Sequence, residues 1–463
     1  MTVKAGAGVS DLVKSIIREW KSAGVPEVFP RDLDLGEAPE PRRGNLVRTI
    51  VGVRRCGKTY RLFQEMRALL ASGVSEDRLL YFNFEDERLK PFTAQLLQDV
   101  LDSYFELYPD VREQGVYLFF DEIQEVPDWG MFLRRLVDTM NVTMYVTGSS
   151  SKMLSREVAT EFRGRSLPRE LFPMSFSEYM RFHGVDLSGV PVDMNGRRTF
   201  TSGEIAHLKH GLDGYLERGG FITVQKLGVP DAVALLQEYA NRTLASDVID
   251  RYGIRNPVAA SAFLTQALAS SGRELSVNKT ANMLMSRGLR VSRGSLSALL
   301  DYYEEAYLLF QVNEFSRALA DNTRSSAKVY AIDQGMFNAF SKASALERGQ
   351  RLETAVFLKL RRDARLVRNG SVSRLLFQDG GNRHEVDFVV GDAITMDVYH
   401  LIQVCWALDD EKTRTREIRA LRAAMRRFQV DSGVIVTADY EERIEVPEGS
   451  IDAIPAWRWL LDA

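Results

Sequence analysis

An α/β protein, with a parallel sheet in its first half and a second α/β domain at its far end, is what this 463-residue sequence predicts. Three observations carry the prediction. Four short apolar runs, at 49–51, 79–84, 116–121 and 143–147, alternate with stretches of helical periodicity. Strands alternating with helices imply a parallel sheet covered on both faces. The loop Gly52-Val-Arg-Arg-Cys-Gly-Lys-Thr59 joins the first run to a helix in which Leu62, Phe63, Met66, Leu69 and Leu70 share one side. From Arg351 to Arg427 the order is helix, three strands, helix.

The bulk properties bound what these elements can do. A composition of 45% hydrophobic and 27% charged residues is that of a globular protein. A net charge of −3 gives no global attraction to nucleic acid or anionic membrane, so any basic surface has to be local. Cys56 and Cys405 are the only cysteines, which excludes a disulfide scaffold and fits a cytoplasmic protein. No apolar run approaches membrane-spanning length, so no membrane partner is expected.

Residues 1–45 read as an arm. Leu12, Ile16, Ile17 and Trp20 recur at helical spacing over Asp11 to Ala23, with Ser10 as a cap and Gly24 as a stop. Prolines at 26, 30, 39 and 41 then break regular structure, and Arg31-Asp-Leu-Asp-Leu35 reads as a clamp on the edge of the first domain.

Residues 46–185 read as a nucleotide-binding domain. A glycine-bounded loop between strand and helix has the spacing of a P-loop, whose inward N–H groups and helix N-terminus cradle phosphate. The nucleotide-binding set is Gly52, Val53, Arg54, Arg55, Cys56, Gly57, Lys58, Thr59 and Tyr60. Lys58 would reach the β- and γ-phosphates of ATP, and the Thr59 hydroxyl would hold Mg2+. The run Val116 to Phe120 ends in Asp121-Glu122, a Walker B pattern. Asp121 is the second metal residue and Glu122 the group that polarises the attacking water. Hydroxyls at the tip of the next strand, in Gly148-Ser-Ser-Ser151, suit a sensor of the γ-phosphate, with Ser149 the nucleotide-binding candidate. Arg165, in Arg163-Gly-Arg165, is the candidate for neutralising transition-state charge in cis or from a neighbouring subunit.

These motifs occur in a set order. The P-loop comes first, then Phe120-Asp-Glu-Ile-Gln124 with Pro127 and Trp129, Thr147-Gly-Ser-Ser-Ser151, Arg163-Gly-Arg165, and Pro173-Met-Ser-Phe-Ser-Glu178. In that order the chain resembles a prokaryotic family of AAA-superfamily P-loop ATPases. That family carries a winged-helix segment and a C-terminal restriction-endonuclease-like domain of unknown function. The resemblance spans nearly the whole chain and implies ATP and Mg2+ as cofactors.

Beyond the first domain, residues 186–255 read as a helical lid, with a long helix over Val233 to Tyr252. Residues 256–345 read as winged-helix-like. Val277 to Met285 is a short helix, Arg287-Gly288 turns, and Ser292 caps a second helix with Leu296, Leu299, Leu300 and Tyr303 inward. The outer side of that second helix carries Arg293, Ser295, Ser297, Asp301, Glu304 and Glu305. One arginine against three acids reads as a structural element rather than a groove reader. Residues 346–463 resemble the restriction-endonuclease-like core, which implies a degenerate nuclease site at Glu353, Asp387, Gln403 and Cys405. Cys405 stands where that fold uses a lysine, so the cation is missing unless Lys359 or Arg383 supplies it. The basic helix Lys412 to Arg427 could hold a backbone phosphate.

The expected function is a slow switch-type ATPase, since no substrate-threading loop is evident. One alternative is an ATP-controlled nuclease acting on DNA. The other is a regulator that binds DNA or protein without hydrolysing ATP. A protein partner, DNA and an oligomer are all compatible with the sequence.

Overall fold

The structure is a computed structural model and describes residues 4–149, 164–187, 189–193, 198–316, 326–341, 347–363 and 370–461. The chain divides into two compact units, Met1–Leu171 and Phe172–Ala463, so that residues 172–185 cluster with the second unit. Among the described residues no helix is long and apolar enough to cross a membrane.

In the first unit, α1 (Lys4–Ala23) precedes β1 (Val47–Val51), α2 (Lys58–Ala71), β2 (Leu79–Asn83) and α3 (Ala94–Leu107). Then come α4 (Val111–Gln114), β3 (Val116–Asp121), α5 (Trp129–Thr139), β4 (Val142–Gly148) and β5 (Ser166–Glu170). The sheet has the order β2-β3-β4-β1-β5 and every pairing is parallel. Every residue of β1, β3 and β4 is buried, which is why these strands read as unbroken apolar runs and not as alternation. Parallel strands place their carboxyl ends on one edge, so Val51, Asp121 and Gly148 finish side by side, with β4 between the loop strand and the Asp121 strand. The arm helix α1 lies against α3 through the Ser10–Ser103 hydroxyl pair at 3.2 Å and the Lys14–Glu106 ion pair, and it sets Trp20 against Tyr81 with the rings tilted and their centroids 5.2 Å apart.

In the second unit, α6 (Phe176–Phe182), α7 (Ser202–Arg218) and α8 (Val229–Thr243) come first. The long helix expected over 233–252 is instead α8 followed by a π-helical stretch, Leu244–Asp250, in which Asp247 is buried. Next are α9 (Pro257–Leu268), β6 (Arg273–Glu274), α10 (Val277–Ser286), α11 (Arg293–Glu305), β7 (Leu309–Val312), β8 (Lys328–Ala331) and α12 (Gln334–Phe340). Strands β6, β8 and β7 form a small antiparallel sheet. The unit ends with α13 (Arg348–Arg362), β9 (Ser371–Asp379), β10 (Asn382–Asp392), β11 (Asp397–Cys405) and α14 (Glu411–Phe428). Strands β12 (Ser432–Thr437), β13 (Glu442–Val446) and β14 (Gly449–Pro455) and helix α15 (Ala456–Leu461) complete it. Its sheet, β13-β14-β12-β11-β10-β9, is antiparallel over β9-β10-β11 and parallel over β11-β12-β14.

Candidate functional site

The loop after β1 is fixed by close approach. A Cβ on Gly52 would sit 2.1 Å from the Leu171 carbonyl oxygen, so only glycine passes there, and Gly57 has φ +103°. The arm holds the loop from outside, as the sequence expects of 31–35. Arg31 donates from Nη1 to the Cys56 carbonyl at 2.8 Å, while its backbone N–H donates to Gln64 Oε1 at 2.9 Å. Val53 and Cys56 are buried under the loop, and burial pushes the Cys56 thiol pKa up. Arg54 pairs with Glu85, and Arg55 adopts φ 69° at the exposed crest. Tyr60 is exposed and meets Phe63 edge-on.

Lys58 is buried at the start of α2. Its Nζ donates to the Gly52 and Val53 carbonyls at 3.2 and 3.4 Å and lies 3.2 Å from Glu122 Oε1. Burial alone would lower its pKa, but the Glu122 carboxylate overrides burial and holds it above the ordinary lysine value. Glu122 is the mirror case. Burial would raise its pKa, yet the Lys58 charge and the Gln124 Nε2 donor, 2.7 Å from Oε2, bring it below the usual range. Glu122 also has left-handed backbone, φ 50°, fixed by its N–H donating to Thr147 Oγ1 at 2.9 Å. A non-glycine residue held in that region marks a spot where the surroundings over-determine the backbone.

Asp121 ends β3 as a hydrogen-bonded hub. Thr59 Oγ1 donates to its Oδ2 at 2.7 Å, Tyr81 donates to the same oxygen at 3.0 Å, and Thr147 donates to Oδ1. Burial and the neighbouring Glu122 charge still push its pKa up. Thr59 and Asp121 together present hard oxygen donors, a set that suits Mg2+. Ser149 is buried at the tip of β4, 3.5 Å from Gln124 Nε2.

Lys58, Thr59, Asp121, Glu122 and Ser149 therefore meet at one edge of the sheet. Ser150, Ser151 and Arg163 lie outside the described residues. Arg165 does not join the edge, contrary to the cis role expected of it. It precedes β5, whose Ser166 pairs with Val47 at the opposite end of β1, and its guanidinium is bound by Asp138 of α5. The five residues of β5 place about 16 Å of strand between Arg165 and the loop edge. Tyr81, Gln124 and Thr147 were missed as site residues, because their roles depend on the register of β2, β3 and β4.

The second unit gathers a separate cluster. Lys328, at the start of β8, has its Nζ 2.5 Å from Glu353 Oε1, 3.2 Å from Asp387 Oδ1 and 3.7 Å from Glu385 Oε1. Tyr330 donates to Glu353 at 2.6 Å, and the Val404 N–H donates to Asp387 Oδ2 at 2.9 Å. Gln403 accepts from the Asp387 N–H at 3.3 Å and donates to Glu417 at 2.6 Å. Cys405 belongs to the core, with its thiol donating to the Ala407 carbonyl and its pKa pushed up to about 11 by burial. So Glu353, Asp387 and Gln403 converge, Cys405 does not, and the expected gap in cation is a correction. Lys328 supplies the charge from a different sheet. Among the described residues no three of His, Cys, Asp or Glu are grouped to hold a metal ion.

That cluster has a pH signature. Burial, then the Asp387 charge, pushes the Glu353 pKa up to about 7 against the opposing pull of Lys328. A carboxyl raised above its unfolded value of about 4.3 contributes stability that is full below that value and lost as pH climbs through 7. Thermal denaturation should therefore show wild type losing stability between pH 5 and 8 more steeply than Glu353→Gln. A difference between the two proteins that stays constant across that range contradicts the assignment.

Comparison with known proteins adds two family matches. Residues 45–180 match the model of an AAA domain, and residues 209–347 match a domain of unknown function, DUF8612. An uncharacterized protein of Methanocaldococcus jannaschii, MJ1544, is 33% identical over 453 residues, covering 96% of this chain and 94% of its own. An uncharacterized protein of Haemophilus influenzae is 24% identical, covering 90% and 94%. Among solved structures, the Walker-type ATPase PABY2304 of Pyrococcus abyssi is 15% identical, covers 64% of this chain and 90% of its own, and has a TM-score of 0.38, too low to add weight.

Proposed function

The chain belongs to the family of MJ1544 and carries an AAA domain, and on that premise we propose that it is a cytosolic, Mg2+-dependent ATPase of the slow, switch-like kind, hydrolysing ATP to ADP and phosphate. The observation that supports this reading is the convergence of Lys58, Thr59, Asp121 and Glu122 on one edge of a parallel sheet. Loop amides and Lys58 bind the β- and γ-phosphates. Thr59 and Asp121 would hold Mg2+, which when bound neutralises charge on the phosphate oxygens. Glu122 orients and deprotonates the attacking water, while Gln124 fixes its carboxylate. Ser149 senses the γ-phosphate from the tip of β4. A carboxylate tied to Lys58 is a poor base, so phosphate that draws Lys58 away releases Glu122. That coupling suits slow turnover. Phosphate release by the purified chain should require both ATP and Mg2+, and turnover that survives chelation counts against the reading.

Arg165 remains a proposal in trans only. It is part-exposed and paired with Asp138, an exchangeable surface contact. Mixing Arg165→Ala with Lys58→Ala should restore part of the activity each lacks alone. A monomer by sedimentation with no recovery makes Arg165 a structural residue.

A second reading concerns Glu353, Asp387 and Lys328. We propose a restriction-endonuclease-like domain that is a weak or dead nuclease, because the Lys328 ammonium already pairs with both carboxylates that a metal would need. Incubation with single- and double-stranded DNA and Mg2+ or Mn2+ tests this. Cleavage lost in Asp387→Ala but kept in Lys58→Ala overturns it in favour of a live nuclease.

A further inference from the structure

The fifty residues from Arg251 to Leu300 hold seven basic side chains and one acidic one, Glu274, in a chain whose net charge is −3. The single acid is already paired with the buried Arg374. This segment contains α10, the turn 287–292 and the amino-terminal part of α11 up to Leu300, with the helix capped by Ser292 accepting from the Ser295 N–H at 3.0 Å and its acids Asp301, Glu304 and Glu305 lying beyond the segment. Lys279, Arg287, Arg290 and Arg293 are all exposed, and none of the four has a carboxylate partner among the described residues. Arg255 and Arg290 edge a groove of about 920 Å³ between the residues before α9 and the first half of α11, and no acid lines it.

The three acids that made α11 look unsuited to an anionic partner are engaged elsewhere. They sit in the second half of the helix. Gln311 donates to Asp301 at 3.0 Å, and its side chain and backbone N–H donate to Glu304 at 3.0 and 3.2 Å. Tyr252 donates to Glu305. What α11 turns to solvent at its amino end is Arg293, Ser295 and Ser297. The other basic helix, α14, is the opposite case. There Arg414 pairs with Glu442, Arg416 with Glu417, and Arg422 and Arg426 with Glu448, so most of its charge is compensated within the fold.

We propose that the turn 287–292 and the amino end of α11 form a binding surface for duplex DNA. Arg287, Arg290 and Arg293 would lie on backbone phosphates, with Ser295 and Ser297 presented to the groove. Uncompensated arginines at the joint of two helices match how such pairs meet the backbone while the second helix enters the major groove. B-form DNA is favoured over RNA, because the A-form major groove is too narrow and deep to admit a helix. The proposal stands apart from the ATPase reading, since it uses none of the same residues.

The test is fluorescence anisotropy of the full chain with a labelled random-sequence DNA duplex, titrated across salt. Losing three phosphate contacts lowers the slope of log affinity against log salt by about 2.7, so Arg287→Gln/Arg290→Gln/Arg293→Gln should weaken binding more than about 10-fold at low salt. These side chains are exposed, and an unchanged circular dichroism spectrum and melting profile of the triple variant verify its fold. Lys412→Gln/Arg419→Gln on α14 should leave affinity within about two-fold of wild type. Any of four results overturns the proposal: no DNA binding by wild type, a triple variant that binds as wild type does, loss confined to the α14 variant, or equal binding of an RNA duplex or of polyglutamate.

Discussion

Lys58→Ala should lose ATP binding by at least about 100-fold, the scale of one charge-assisted contact removed from a water-poor site. Lys58 is the buried cation that the loop carbonyls and Glu122 hold in place, and it stands 3.2 Å from Glu122. Its removal leaves Glu122 with Gln124 and the nearby Arg54, so the unit should still fold, with a lowered melting temperature. Calorimetric titration with ATP, beside circular dichroism of the same sample, separates the two effects. Wild-type affinity in the variant removes Lys58 from the phosphate site.

Glu122→Gln should do the reverse. It keeps the shape of the side chain and the Gln124 contact but cannot take a proton, and a general base contributes roughly 100- to 10,000-fold. ATP affinity should be preserved or raised, because the competing carboxylate that holds Lys58 is gone. Hydrolysis should fall by that range. The trapped ATP form is then the best bait for a partner that recognises the switched state. Full activity in Glu122→Gln would leave the water-orienting role with another residue.

Much of the first unit was legible in the sequence for a physical reason. Strands buried on both faces show as unbroken apolar runs, and a phosphate loop needs glycine where Gly52 passes the Leu171 carbonyl. Asp121 and Glu122 were legible because chain order alone puts them at the end of a strand. The partners of these residues were not. Tyr81, Thr147 and Gln124 reach Asp121 and Glu122 only through parallel register, which no local pattern encodes. Arg165 was misjudged for a related reason. Its nearness to other motifs in the chain says nothing about which end of β5 it occupies. Lys328 was invisible because it meets Asp387 across 59 positions and from another sheet. The acids of α11 looked solvent-facing because helical periodicity cannot show Gln311 folding back on Asp301 and Glu304.

The most direct test of ATP hydrolysis at the Lys58–Glu122 edge is a single-turnover measurement with γ-labelled ATP bound to excess protein and Mg2+. Wild type should convert bound ATP to ADP and free phosphate, and Glu122→Gln should hold the label as intact ATP over the same interval. Intact ATP on both proteins would make the chain a binder that does not hydrolyse. Equal conversion by both would contradict Glu122 as the residue that activates water.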